Sequence, residues 1–392
     1  MSDVVITGVG AVTCHGVGSA ALWQAMCRAP VRLPDRLPDP YAPGQHPYMY
    51  LAPTDSLPPA PGVASGLAVA AATEALADAG LPAGTRPPTP LNVVVGTCMG
   101  ETGREEQTRA AGGTPGPEPI FSVAAYLGDR LRATGANTSV SNACSASGYA
   151  LGIAADMIRV GEADLVLAGG ADAYSRVAVG CFDRMRAADP VRCRPFDRNR
   201  RGTVFGEGAA MLVLESAEHA AARDAVPLAT LGRSGWSCDA YHPTAPEPSA
   251  EQIVRAMREA LDSDAPNDAG VTGGRLGCVI PHGTGTQLND VVESQALRQL
   301  LGAATLDVPL YSLKALIGHT GGAAAALAAV AATLILRHGT VPSNVPLDDQ
   351  DPECKVFLPH TPAPLAARRL LVNAYAFGGN NTSFVIESGA SA

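Results

Sequence analysis

Cys144 stands in the stretch Ser141-Asn142-Ala143-Cys144-Ser145-Ala146-Ser147-Gly148, where a strand over 138–141 gives way to a helix over about 145–160. A thiol at a helix N-terminus faces unpaired N–H groups and the positive end of the helix dipole, which favour thiolate over thiol. The same amides could form half of an oxyanion hole. This setting makes Cys144 the candidate nucleophile. The other eight cysteines, at positions 14, 27, 98, 181, 193, 238, 278 and 354, lack such flanks and read as small buried hydrophobes.

Two histidines and a lysine join it. His282 closes an apolar strand over 278–281 and opens the turn Gly283-Thr284-Gly285-Thr286. Alone, a histidine in such a turn is more often a satisfied structural residue. His319 lies between Gly318 and Thr320-Gly321-Gly322, where glycines allow close backbone approach. Lys314 precedes it by five residues and, with Lys355, makes up the two lysines among 28 basic residues. Flanked by apolar residues, it suits a buried, ion-paired role. Asp290 and Glu293 follow His282 by 8 and 11 residues. They are its natural acidic partners, or else ordinary charges in the first turn of a helix.

These residues need a large framework, and 392 residues with 46% hydrophobic and 17% charged content supply one or two domains with a deep core. A net charge of −9 argues against non-specific nucleic-acid binding. Nine scattered cysteines without a CxxC pair fit reduced thiols in a cytoplasm, neither a disulfide framework nor a metal site. The N-terminus reads as a strand over 4–7 and not as a signal peptide. The apolar run 323–336, at 14 residues, is too short to span a bilayer and suits a buried helix. A soluble protein with no membrane partner is expected.

Further strands are expected over 91–95, 165–168, 308–312 and 370–374, and helices over 63–79, 290–300 and 323–337. Their alternation predicts an α/β protein with a largely parallel sheet. The recurring strand-then-glycine pattern points to two similar lobes, divided at 1–235 and 236–392. Ten prolines over 30–62 make regular structure improbable there, and that stretch reads as a surface excursion or a flexible cover.

Taken together, Asn142-Ala143-Cys144-Ser145, His282-Gly283-Thr284-Gly285-Thr286 with Asn289-Asp290, Lys314 with Gly318-His319, and Phe377-Gly378-Gly379 resemble the β-ketoacyl-ACP synthases of thiolase fold. Arg194-Pro195-Phe196-Asp197-Arg198 and Gly206-Glu207-Gly208-Ala209 also match. The resemblance covers the chain from Val4 to Ile386. It implies two α/β lobes in α-β-α-β-α layers and a decarboxylative Claisen condensation. Cys144 would carry the acyl chain, and His282 and His319 would bind the thioester carbonyl of malonyl-ACP. Amides of Cys144 and Phe377, beside Gly378, would hold the oxyanion. Lys314 with Glu293 would order the site.

By the same resemblance Thr284, Thr286, Phe182 and Asp290 fall to the pantetheine and acyl path, and Asp290 also supports the loop after His282. Phe377 would be the gate, and Arg186 a carrier-protein contact. No tightly bound cofactor or metal is implied; phosphopantetheine arrives on the acyl carrier protein. The partner subunit would be a second copy or a chain-length-factor-like homologue.

The chain departs from the family pattern at Ala376, commonly glycine, at Asn142, commonly threonine, and at Asn380-Asn381, commonly Thr-Asn. These departures and the proline-rich stretch favour a type II polyketide or specialised fatty-acid pathway over housekeeping elongation. Gln287-Leu288-Asn289-Asp290 resembles the ketosynthases of polyene-making type II systems. A non-catalytic chain-length subunit would lack the nucleophile that Cys144 supplies. A thiolase acting without decarboxylation would carry a second cysteine in place of His319.

Overall fold

The computed structural model describes residues 2–39, 41–42, 47–81, 89–116, 119–261 and 276–388. Nine strands form the main sheet: β1 (Val4–Thr13), β2 (Asn92–Gly96), β3 (Asn137–Val140), β4 (Leu165–Asp172), β5 (Gly208–Ser216), β6 (Ala229–Cys238), β7 (Cys278–Ile280), β8 (Arg369–Tyr375) and β9 (Asn380–Glu387). Their spatial order is β7-β8-β9-β6-β1-β5-β4-β2-β3, with the short strand Gly16–Val17 paired to β1.

The order hides a repeat. From β1 outward, two antiparallel steps to β5 and β4 are followed by parallel pairing with β2 and then β3. From β6 outward, two antiparallel steps to β9 and β8 are followed by parallel pairing with β7. Within the sheet the halves are joined where Val5 and Ile6 pair with Thr230 and Ala229. The sheet is therefore mixed, not largely parallel. The expectation failed because β5, β6 and β9 went unread, and these supply the antiparallel steps.

Side-chain alternation then builds the layers. Val93 and Val95 of β2 pack beneath the helix Val63–Asp78, whereas Val94 points to the opposite face, with the helices Ala146–Arg159 and Ala324–His338. In the other half Leu371 and Val385 face the helices Glu251–Leu261 and Gln287–Leu301, and Val372 and Phe384 face the same central pair. The result is the α-β-α-β-α arrangement, with two helices as the shared middle layer. β1 runs past its expected end because Gly8 and Gly10 let the helix Val63–Asp78 close on it. A Cβ there would meet the carbonyl oxygens of Ala75 and Ala71 at 2.1 and 2.0 Å.

Other expectations are corrected. The stretch 308–312 is no strand and makes only isolated bridges, Val279 with Leu310 and Pro309 with Phe357. Position 235, at which the two lobes were divided, lies inside β6. The proline-rich stretch is not wholly a surface excursion: Met49, Tyr50 and Ala52 are buried, and the Glu207 carboxylate accepts the Ala52 amide at 3.1 Å. Gly321–His338 has the length and apolarity of a membrane span, with a mean hydropathy of 1.4, but 89% of it is buried as the central core helix.

Candidate active site

The path from β3 to Cys144 is strained. Ala143 sits at φ +55°, a left-handed conformation costly for a residue with a Cβ, and opens the 3₁₀ turn Ala143–Ser145. The turn leads into the helix Ala146–Arg159 and leaves the thiol buried between two cavities. The first, about 270 Å³, is lined by His282, His319, Thr284, Thr286, Phe182, Phe377 and Gly378 and opens past exposed Arg186. The second, about 200 Å³, is apolar and lies beyond Cys144, against Met49, Met99, Val179, Phe205 and Phe377.

Sequence reasoning put Cys144 on the thiolate side; the environment decides otherwise. Burial pushes the thiol up to about 11, and Asp172 adds to the rise. Lys314 and the backbone N–H groups of Cys144 and Phe377 oppose it without prevailing. Desolvation outweighs the helix terminus. The convergence of those two amides on one sulfur is the arrangement expected of an oxyanion hole.

His282 is held at three points. Its backbone N–H donates to Glu293 Oε1 at 2.7 Å, and the neighbouring Gly283 N–H donates to Oε2 at 2.7 Å. Its carbonyl accepts from Lys314 Nζ at 2.5 Å, and the same ammonium lies 3.5 Å from its Nδ1. An ammonium can only donate, so Nδ1 must be the accepting nitrogen and the neutral ring carries its proton on Nε2. Burial, Lys314 and His319 hold the His282 pKa well below the usual histidine range, and burial with Lys314 does the same for His319. Both rings are neutral. They meet edge-on with centroids 5.6 Å apart, and His319 stacks on Phe205. Lys314 and Glu293 thus act on His282 from opposite sides, through its backbone, rather than as a direct pair.

Asp290 belongs behind the wall. Fully buried, it accepts the amides of Phe196, Thr284 and Gly285 at 2.8, 3.1 and 3.2 Å and faces Arg200 at 3.4 Å. It supports the loop after His282 but does not line the first cavity, where the resemblance had placed it. Thr284 and Thr286 do line that cavity, their hydroxyls 3.0 Å apart. Phe377 stacks on Phe182 at 5.1 Å and 10°, and both rings border both cavities. Gly378 and Gly379 have φ of +85° and +77°, whereas Ala376 is not at positive φ.

Sequence reasoning missed the far cavity wall, Cys98, Met99 and Asp172, and the rim residues Asp239, His242 and Arg201. For Asp172 there was a signal: an acid closing a buried strand just after Gly169-Gly170.

Two family models match this chain: the N-terminal domain of β-ketoacyl synthase over residues 62–220 and its C-terminal domain over 228–348. Nodulation protein E of Rhizobium meliloti is 36% identical over 328 residues, covering 81% of this chain and 80% of that protein. The tetracenomycin polyketide synthase ketoacyl synthase alpha subunit of Streptomyces glaucescens is 32% identical, covering 98% and 96%. Among solved structures, the ishigamide ketosynthase/chain length factor superposes with a TM-score of 0.87 at 33% identity, covering 99% of this chain and 100% of that one. The chain belongs to the β-ketoacyl synthase family, enzymes that form carbon–carbon bonds by acyl transfer.

Proposed function

We propose that this chain elongates acyl groups with malonyl-ACP in a type II polyketide or specialised fatty-acid pathway. The observation that carries the reading is the convergence of Cys144, His282 and His319 on one cavity, with a separate apolar cavity beyond the thiol. Likeness to a polyketide synthase alpha subunit supports the pathway class.

In the first half-reaction the Cys144 sulfur attacks the thioester of an acyl carrier protein or CoA. The phosphopantetheine sulfur leaves and takes the thiol proton, and the acyl chain passes into the apolar cavity. Malonyl-ACP then occupies the other cavity, with its thioester carbonyl facing His282 and His319. Neutral imidazoles donate to the enolate oxygen as carbon dioxide departs. The carbanion attacks the acyl carbon, the amides of Cys144 and Phe377 hold the oxyanion, and collapse expels the Cys144 thiolate and leaves a β-ketoacyl-ACP.

Arg186 at the mouth suits the acidic carrier, and a second subunit, identical or chain-length-factor-like, completes the enzyme. Intact mass after incubation with acyl-ACP should show one acyl adduct, absent in Cys144→Ala. An adduct that persists in the variant ends the assignment.

A further inference from the structure

Asp172, at the end of β4, is a buried carboxylate on the wall of the apolar cavity. Four groups donate hydrogen bonds to it. Oδ1 accepts the Thr97 hydroxyl at 2.8 Å and the Met99 amide at 3.0 Å. Oδ2 accepts the Cys98 amide at 2.8 Å and the Gly322 amide at 2.5 Å. The first three belong to the loop after β2 that forms the cavity wall. The fourth belongs to the turn that begins three residues earlier at His319. Packing reinforces the joint: a Cβ on Gly321 would meet Asp172 Oδ2 at 2.6 Å, and one on Gly322 would meet the Cys98 amide at 2.6 Å. One oxygen atom thus ties the wall that an acyl chain must touch to the turn that carries a malonyl-facing histidine.

We propose that Asp172 is a positioning residue for chain extension, its carboxylate making the acyl-cavity loop Thr97-Cys98-Met99 and the His319 turn move as one body. This rests on the functional reading above. Acyl loading needs only Cys144 and the amides beside it, whereas extension needs His319 in register with the loaded chain. An amide at 172 can keep two of the four donors; its NH₂ group opposes the other two.

The test uses the full chain, with its partner subunit if it requires one, and acyl-ACPs of increasing length. Asp172→Asn should load a short acyl group at a rate within about three-fold of wild type, while extension falls about ten-fold or more, the scale of one lost charge-assisted hydrogen bond. The deficit should grow with acyl length. A second readout needs no turnover: the pH profile of Cys144 alkylation by iodoacetamide, followed by peptide mass. Asp172 and Lys314 are the charges acting on Cys144, and the two histidines sharing its cavity are neutral. Removing the Asp172 anion should therefore shift the alkylation midpoint to lower pH. If Asp172→Asn fails to fold, Thr97→Val, which deletes one donor and keeps the carboxylate, should show the same split between loading and extension. Equal losses in loading and extension, or unchanged extension at every length, overturn the proposal. A wild-type chain that loads no acyl group sinks the functional reading instead.

Discussion

Replacing Glu293 with glutamine separates two things the carboxylate does. Its oxygens accept the His282 and Gly283 amides at 2.7 Å each and the Asn373 side-chain amide at 3.4 Å, and no cation among the described residues touches them directly. Burial pushes its pKa from 4.5 up to about 7, against the pull of those amides and Lys314. A carboxylic acid with a raised native pKa contributes stability that is fully present below the unfolded value and lost as pH rises through the folded one. The shift of two and a half units corresponds to about 3 kcal/mol, withdrawn between roughly pH 4.5 and 7.5. Glutamine has no such titration. It can accept only one of the two amides and turns an NH₂ toward the other, so the hydrogen bond that is charge-assisted in the ionised wild type, worth about 1.5–3 kcal/mol, is lost.

Below pH 7 the folded wild-type group is itself a neutral acid, so Glu293→Gln should be nearly as stable as wild type near pH 5 and more stable near pH 8, where the wild type has lost its about 3 kcal/mol. Urea denaturation at several pH values measures the difference directly. Activity should not rise with that stability. His282 loses one of its three anchors, and 1.5–3 kcal/mol of misplacement corresponds to about a 10- to 150-fold slower extension. Stability curves that stay parallel from pH 5 to 8 would refute the buried-charge argument. Wild-type extension rates would refute the claim that Glu293 positions His282.

Three further outcomes are expected. His319→Ala should still load an acyl group while extension falls by about 10²-fold or more; a joint fall would mean the histidine tunes the cysteine. Acyl loading should rise about ten-fold per pH unit from pH 6 to 9, because the Cys144 thiol titrates near 11 and only its thiolate attacks. Extension on a preloaded enzyme should stay flat over that range, and a flat loading profile would contradict the thiolate argument. Ala376→Gly should alter extension or chain-length range with loading kept. A left-handed residue 376 in an open gate would cost alanine about 1–2 kcal/mol, and identical single-turnover rates over an acyl-ACP series would show the substitution silent.

The motif-bearing part of the site was legible because its residues sit at strand ends and tight turns, which leave local marks. Cys144 between strand and helix, and His282 and His319 among glycines, belong to this group. The missing strands left weaker marks. Ala229-Thr230-Leu231-Gly232-Arg233-Ser234-Gly235 has little β-propensity, and it forms a strand because β9 and β1 pair with it on both sides. Asn380-Asn381-Thr382-Ser383 reads as a loop but is buried in β9, where Asn381 donates to Asp239 at 2.7 Å. The acyl-cavity wall escaped for a different reason. Met49, Met99, Val179 and Phe205 come from four distant segments, and only the tertiary fold brings them beside Cys144.

The electrostatics could not be read from spacing, and they carry the mechanism. A helix terminus argues for thiolate wherever water is near, but here the surroundings exclude water and desolvation decides the sign. The same exclusion that disfavours the thiolate keeps both histidines neutral, so each can offer an N–H to an enolate without first releasing a proton. Lys314 serves both sides of this balance. Its charge lowers the Cys144 pKa and the pKa of each histidine, and its hydrogen bond to Nδ1 leaves the His282 proton on Nε2. A neutral residue at 314 would loosen all three settings together: a less acidic thiol, more basic histidines and an unassigned tautomer. One buried lysine in a chain that uses arginine almost everywhere else is therefore a functional choice. An ammonium supplies a compact donor-only charge that fits between a carbonyl and a ring nitrogen, where a planar guanidinium would not.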